Sequence, residues 1–265
     1  MLAAGASLCE APAVRVEVPG SAIAVDDTGE GSVVVLLHTG TGDRTEWDLV
    51  AERLGGWRIV RFDLRGFGET PVGATAFSYG DDVLAVMDAL GIGAATLAGG
   101  SFGGLVALEA ATIAPERLTR LVLLAPSLDD HDWSPEEQTF YAAEEAALAA
   151  GDLEQATRLN VALWAGRLDP ALQARVAATQ RRALQLQSHA EAQARDPDPP
   201  VGNRLSRLTM PTRILVGDAD LPDFPAIAER LARELPDARL DVLPGAGHLL
   251  ALERPDAVAA AILET

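Results

Sequence analysis

Hydrophobic and polar positions along the chain follow two rhythms that alternate. Short apolar runs read as strands: VRVEV at 14–18, IAVDD at 23–27, VVVLL at 33–37, RIVRF at 58–62, ATLA at 95–98, RLVLLA at 120–125, RILVG at 213–217 and RLDVL at 239–243. The middle runs are apolar almost throughout, as expected of strands covered on both faces in a parallel sheet. Helical stretches separate them. EWDLVAERL at 46–54 follows the third run, and SYGDDVLAVMDALG at 78–91 puts Val83, Val86, Met87 and Leu90 on one face with Gly91 as a stop. FPAIAERLARELP at 224–236 and RPDAVAAAILE at 254–264 close the chain. This alternation predicts an α/β fold with a mostly parallel sheet flanked by helices. The short turn between the first two runs predicts an antiparallel opening hairpin.

Residues 128–205 break the rhythm, for they hold no strand pattern. SPEEQTFYAAEEAALAAG at 134–151 opens with a capping-box signature, Ser134 with Glu137, and ends at glycine. DLEQATRLNVALWAG at 152–166 and the stretch 169–195 read as further helices, before a proline-rich break at 196–203. The segment is too long for a loop. The expected organisation is a core from 1–127 and 206–265, interrupted by a helical cap subdomain at 128–205.

Composition narrows the function classes. The 265 residues are 48% hydrophobic, enough for one sizeable core. No apolar run reaches the roughly 18 residues that would span a bilayer, and the N-terminus lacks the basic and apolar regions of a signal peptide. The single cysteine, Cys9, rules out a disulfide framework and a cysteine metal cluster. These points make a cytoplasmic protein the expectation. A net charge of −18 disfavours nucleic acid and anionic membranes as partners but does not fix the charge of a substrate. No dinucleotide fingerprint or phosphate loop appears, so no cofactor and no metal are expected. A small-molecule substrate and a monomer or homodimer are.

One stretch carries chemistry. In LAGGSFGG at 97–104, Ser101 sits among four glycines where an apolar run gives way to a helical one. A serine hydroxyl is a weak nucleophile unless a base and oxyanion donors surround it. A sharp strand-to-helix turn lifts the hydroxyl clear and places the next N–H at a helix start. Glycine at 99 and 103 removes the collisions such a turn would cause, so GGSFG fits the G-x-S-x-G nucleophile elbow in its strand–turn–helix setting. Here the chain resembles the α/β-hydrolase superfamily, in particular its serine esterase and enol-lactonase branches, from about residue 20 to the end.

The resemblance implies a triad in the order Ser, acid, His. His248, in GAGH after the last strand, matches the family's histidine loop. His131 and His189 lie in the inserted segment, and His38 is read as a structural residue. In RILVGDADLPDF the family position for the acid is Asp220, with Asp218 as a turn former; Asp129 and Asp130, one strand earlier, are the alternative. The oxyanion hole is expected from the N–H groups of Phe102 and Gly40, with Thr39 as rival because HTGTGD replaces the usual His-Gly. Asp63 and Arg65, in FDLRGFGET, are expected to pair and brace loops around the site. Trp133, Phe140, Tyr141 and Trp164 are candidates, with Thr39, for lining a substrate pocket; burial of the aromatics against the core is the alternative. Arg181 and Arg182 read as a solvated helix face.

The function this implies is a serine hydrolase cleaving a small ester, lactone or related carbonyl compound through an acyl-enzyme. An acyltransferase, thioesterase-like or C–C bond hydrolase, or a ligand receptor on a hydrolase scaffold, remain as alternatives.

Overall fold

A computed structural model describes residues 14–188 and 193–264. Eight strands form one sheet: β1 (Val14–Val18), β2 (Ser21–Thr28), β3 (Ser32–Leu37), β4 (Trp57–Phe62), β5 (Ala95–Gly100), β6 (Leu118–Leu124), β7 (Thr212–Gly217) and β8 (Ala238–Leu243). Their spatial order is β1-β2-β4-β3-β5-β6-β7-β8. β1 and β2 make the expected hairpin, turning at Pro19–Gly20 with Gly20 at φ 81°. β2 meets β4 antiparallel, and every later pairing is parallel. The α-helices are α1 (Asp48–Ala51), α2 (Tyr79–Ala89), α3 (Phe102–Ile113), α4 (Pro135–Ala149), α5 (Leu153–Trp164), α6 (Pro170–Gln187), α7 (Asp223–Glu234), α8 (Leu250–Glu253) and α9 (Pro255–Leu263).

The apolar middle strands have a direct explanation. Val35 and Leu37 of β3 pack with α2, α3 and α7 through Val83, Val86, Leu108 and Ile227 on one face of the sheet. Their neighbours Val34 and Leu36 pack with Trp47, Val50, Val258 and Ile262 on the other. Successive side chains point to opposite faces, and both faces are covered, so neither parity can be polar.

Two expected helices change shape. The 46–54 stretch becomes a 3₁₀ turn at Arg44–Trp47 followed by α1, because Asp43 caps the turn, its carboxylate accepting from the N–H and hydroxyl of Thr45. The 169–195 stretch is helical only to Gln187. At its far end Gln193 and Arg195 bond the backbone of Phe77 instead. His189 and Cys9 lie outside the described residues. α4, α5 and α6 fill the interval between β6 and β7. Residues 201–207 then form a 3₁₀ segment whose Val201 and Leu205 pack in the main core. Among the described residues no helix is long and apolar enough to cross a membrane.

The parallel arrangement aligns the carboxyl ends of β3, β5, β6, β7 and β8 along one edge. The loops that follow them, and the inserted helices, meet there; in open α/β sheets this is the edge where ligands bind.

Candidate active site

Ser101 is the hinge between β5 and α3. Its backbone adopts φ 49° and ψ −115°, a conformation that costs an L-residue about 1–3 kcal/mol. The bend is held by hydrogen bonds: Ser101 N–H donates to the Leu124 carbonyl at 2.8 Å, and its own carbonyl accepts from the Gly104 and Ser127 N–H groups at 2.9 and 3.0 Å. The glycines are required by packing. A Cβ on Gly99 would overlap the Gly103 backbone, and one on Gly103 would strike the Leu37 and His38 carbonyls. α3 can approach β5 and β3 this closely only without side chains at those two positions.

His248 stands on the loop between β8 and α8. Its Nδ1 lies 2.8 Å from Asp220 Oδ2, and both side chains are buried. A carboxylate can only accept, so Nδ1 carries the proton and Nε2 is left as the acceptor. The imidazole is sandwiched by rings, with centroids 4.5 Å from Trp164 and 4.2 Å from Phe224. Glu253 holds the loop from beneath, accepting from the N–H groups on either side of the histidine, Gly247 at 2.7 Å and Leu249 at 3.2 Å.

The competing carboxylates are engaged elsewhere. Asp218 accepts from Gly245 N–H at 2.6 Å and shapes the turn. Asp223 receives His131 Nε2 and both the N–H and hydroxyl of Ser134. Burial works to raise its pKa, but the Ser134 and His131 hydrogen bonds outweigh it and hold the group below the usual carboxylate range. Asp129 caps Val201 and Gly202, and Asp130 pairs with Arg230. Among the described residues, Asp220 alone bonds the His248 imidazole.

In the loop after β3, Thr39 and Gly40 are held differently. Thr39 gives both its N–H and its hydroxyl to the buried Glu46 carboxylate, at 3.1 and 2.7 Å. Gly40 N–H has no acceptor among the described residues, and Gly40 packs against Phe102, the first residue of α3. The Phe102 N–H is one of the helix's unpaired initial donors.

Ser101, His248, Thr39, Gly40 and Phe102 all line one cavity of about 490 Å³. Trp133, Phe140, Tyr141 and Trp164 line it too, so these aromatics are pocket walls as well as packing residues. Trp164 and Phe140 stack edge to face at 5.5 Å, whereas Tyr141 is largely exposed.

A family model described as the alpha/beta hydrolase family matches residues 34–261. The chain belongs to the alpha/beta hydrolase family. The 2-hydroxy-6-oxo-6-phenylhexa-2,4-dienoate hydrolase of Burkholderia cepacia is 29% identical over 250 residues, 89% of this chain and 87% of that protein. A thermophilic esterase from Thermogutta terrifontis, solved with malate bound, superimposes with a TM-score of 0.77 at 29% identity, covering 95% of this chain and 97% of its own. The enol-lactonase from Burkholderia xenovorans LB400 superimposes with a TM-score of 0.78 over 94% of this chain and 98% of its own; at 21% identity that likeness is one of fold.

In this hydrolase His38 is structural. The Leu64 N–H donates to its Nε2 at 3.0 Å, so Nδ1 carries the proton, donated to the Thr39 carbonyl at 2.7 Å. The expected pairing of Asp63 with Arg65 is corrected. Asp63 pairs with Arg44 at 2.6 Å and caps the Arg44 and Glu69 N–H groups, while Arg65 forms a two-pronged pair with Asp82 at 2.6 and 2.7 Å. Adjacent side chains leaving the end of β4 point apart, so each braces a different loop. Arg181 pairs with Glu154 on the surface, and Arg182 reaches the Gly68 carbonyl.

The sequence reading missed the polar part of the cavity wall: Glu144, Asn160, Gln180 and Gln187. The signal was present in α4. Stepping from Phe140 by helical spacing gives Glu137, Tyr141, Glu144 and Leu148 on one stripe. The capping-box reading of Glu137 hid it. Ser134 does cap α4 through the Glu137 N–H at 3.3 Å, but the Ser134 N–H goes to Asp223. The box is never closed, and Glu137 turns inward and is fully buried.

Proposed function

We propose that this hydrolase cleaves a small ester, lactone or related carbonyl substrate with Ser101 as nucleophile, His248 as base and Asp220 as the group that orients the imidazole. The observation that carries the reading is the strained Ser101 bend opening onto the same cavity as a histidine whose far nitrogen is fixed by a buried carboxylate. His248 Nε2 takes the Ser101 proton as Oγ attacks the carbonyl carbon. The carbonyl oxygen becomes an oxyanion, stabilised by the Phe102 and Gly40 N–H groups. Collapse breaks the bond to the leaving group, which receives the proton from His248. Water, deprotonated by His248, then attacks the acyl-enzyme and releases acid and Ser101. The Thr39 N–H, already given to Glu46, supports Gly40 as the second donor.

C–C bond hydrolysis is the second reading, supported by the Burkholderia cepacia relative. That relative's named substrate is a carboxylate. Among the described residues the cavity wall has no Arg or Lys, which favours the ester or lactone reading.

The test is a fluorophosphonate probe together with a series of p-nitrophenyl esters. Wild-type protein is expected to be labelled at Ser101 and to turn over steadily, and Ser101→Ala to lose both, by ~10⁴-fold or more in kcat. Labelling that stalls without turnover would point to a receptor or a transferase. Turnover that survives Ser101→Ala would overturn the reading.

A further inference from the structure

Between α4 and α6 the cavity wall holds an acceptor without a donor. Gln180 lines the wall and is 5% exposed, and its Oε1 accepts no hydrogen bond among the described residues. Glu137, on the same stripe of α4 as the lining residues Phe140, Tyr141 and Glu144, is wholly buried behind the wall, with the Tyr141 hydroxyl beside it as a donor. Burial and the neighbouring Asp223 push its pKa up to about 7, against the opposing pull of His248 and the Tyr141 hydroxyl. Glu144 is bonded through Oε1 by Asn160 and lines the cavity directly. Among the described residues no arginine lines the wall, and the chain contains no lysine.

Buried acceptors without donors are costly, each by the desolvation of the group left unpaired. A carboxylate substrate would worsen the balance and a plain alkyl chain would leave it unchanged. A group carrying N–H donors and positive charge would satisfy it. The ring faces of Phe140 and Tyr141 add cation–π attraction. The overall charge of −18 would steer such a substrate inward.

We infer that the cavity is built for a substrate that carries a protonated amine, held by Glu144 and Gln180 with Glu137 behind them, while its carbonyl faces Ser101. This inference rests on the hydrolytic reading of Ser101 for the chemistry but not for the binding.

The experiment compares three matched p-nitrophenyl esters that differ only at the far end of the acyl chain: 6-aminohexanoate, heptanoate and the pimelate monoester. Since a hydrogen bond to a charged group contributes about 1.5–3 kcal/mol, kcat/KM should favour the amine over heptanoate by roughly tenfold or more, with pimelate last. Glu144→Gln and Gln180→Leu should each pull the amine-to-heptanoate ratio towards one. In parallel, hexylammonium should raise the Tm of the wild-type protein where hexanoate does not, and the Glu144→Gln variant should lose that shift. If heptanoate or pimelate is preferred, with turnover still dependent on Ser101, the amine inference falls and the hydrolase reading stands. The inference also falls if the ratio is unmoved by both variants. If no ester is cleaved but hexylammonium stabilises the wild-type protein and not Glu144→Gln, the cation site stands and the hydrolytic reading falls.

Discussion

At the scale of single residues, Ser101 and Glu137 carry conformational and electrostatic cost, Ser101 at the cavity wall and Glu137 buried behind it. Ser101 holds a strained backbone that only the surrounding hydrogen bonds sustain. Glu137 holds a buried carboxyl whose folded-state pKa, about 7, lies above its ordinary 4.5. The sign of the second follows from linkage. The folded state prefers the protonated acid, so nothing is lost below about pH 4.5, and stability falls as pH rises from there to about 7. The loss is at most roughly 3 kcal/mol, at 1.36 kcal/mol per pKa unit. Glu137→Gln removes the titration. Its Tm should exceed that of the wild type at pH 8, with the gap closing towards pH 5; a gap independent of pH would refute this. The motif around Ser101 was legible in sequence because glycine spacing records a steric demand directly. Glu137 was not, because S-x-x-E reads identically whether the glutamate returns to the cap or turns inward, and here Asp223, 86 positions further along, takes the N–H that would have drawn it back.

At the scale of elements, the loop from β8 to α8 shows how a short helix can serve a neighbouring side chain. α8 has only four residues, yet its last one, Glu253, clasps the N–H groups on both sides of His248. Glu253→Gln keeps the shape but weakens two charge-assisted hydrogen bonds. We expect kcat on a p-nitrophenyl ester to fall by roughly 10–100-fold with a smaller change in KM, since small misplacement of a reacting group is costly to rate. Fluorophosphonate labelling of Ser101 should slow in step. Unchanged labelling would show that the clasp does not position the histidine. The inserted helices are tied to the core unequally. α6 reaches it through the Arg175–Asp48 pair, the Thr179 bond to the Thr41 carbonyl and the Gln187 bond to the Gly66 carbonyl. Helical periodicity predicted that these helices exist. It did not predict where α6 stops, because the stop comes with a backbone pairing to Phe77, more than a hundred residues earlier in the chain.

At the scale of the whole molecule, 39 acidic residues face 21 arginines across one domain-sized surface. Ion pairs such as Arg44–Asp63 and Arg65–Asp82 are buried and poorly screened, so added salt acts mainly on long-range repulsion between surface carboxylates. Raising NaCl from low ionic strength to 0.5 M should therefore raise Tm at pH 8. A fall would show that attractive pairs dominate. The sequence by itself determined the strand–helix alternation, the two-faced burial of the middle strands and the glycine-cleared bend at Ser101. Each of these is a local rule of periodicity or sterics. Only the tertiary structure decided that Arg65 turns to Asp82 and Asp63 to Arg44, that Gly40 rather than Thr39 keeps a free N–H among the described residues, and that Gln180 brings an unmatched acceptor to the cavity wall. Those outcomes depend on which groups from distant segments arrive first at a shared hydrogen-bonding position, and no local pattern encodes that competition.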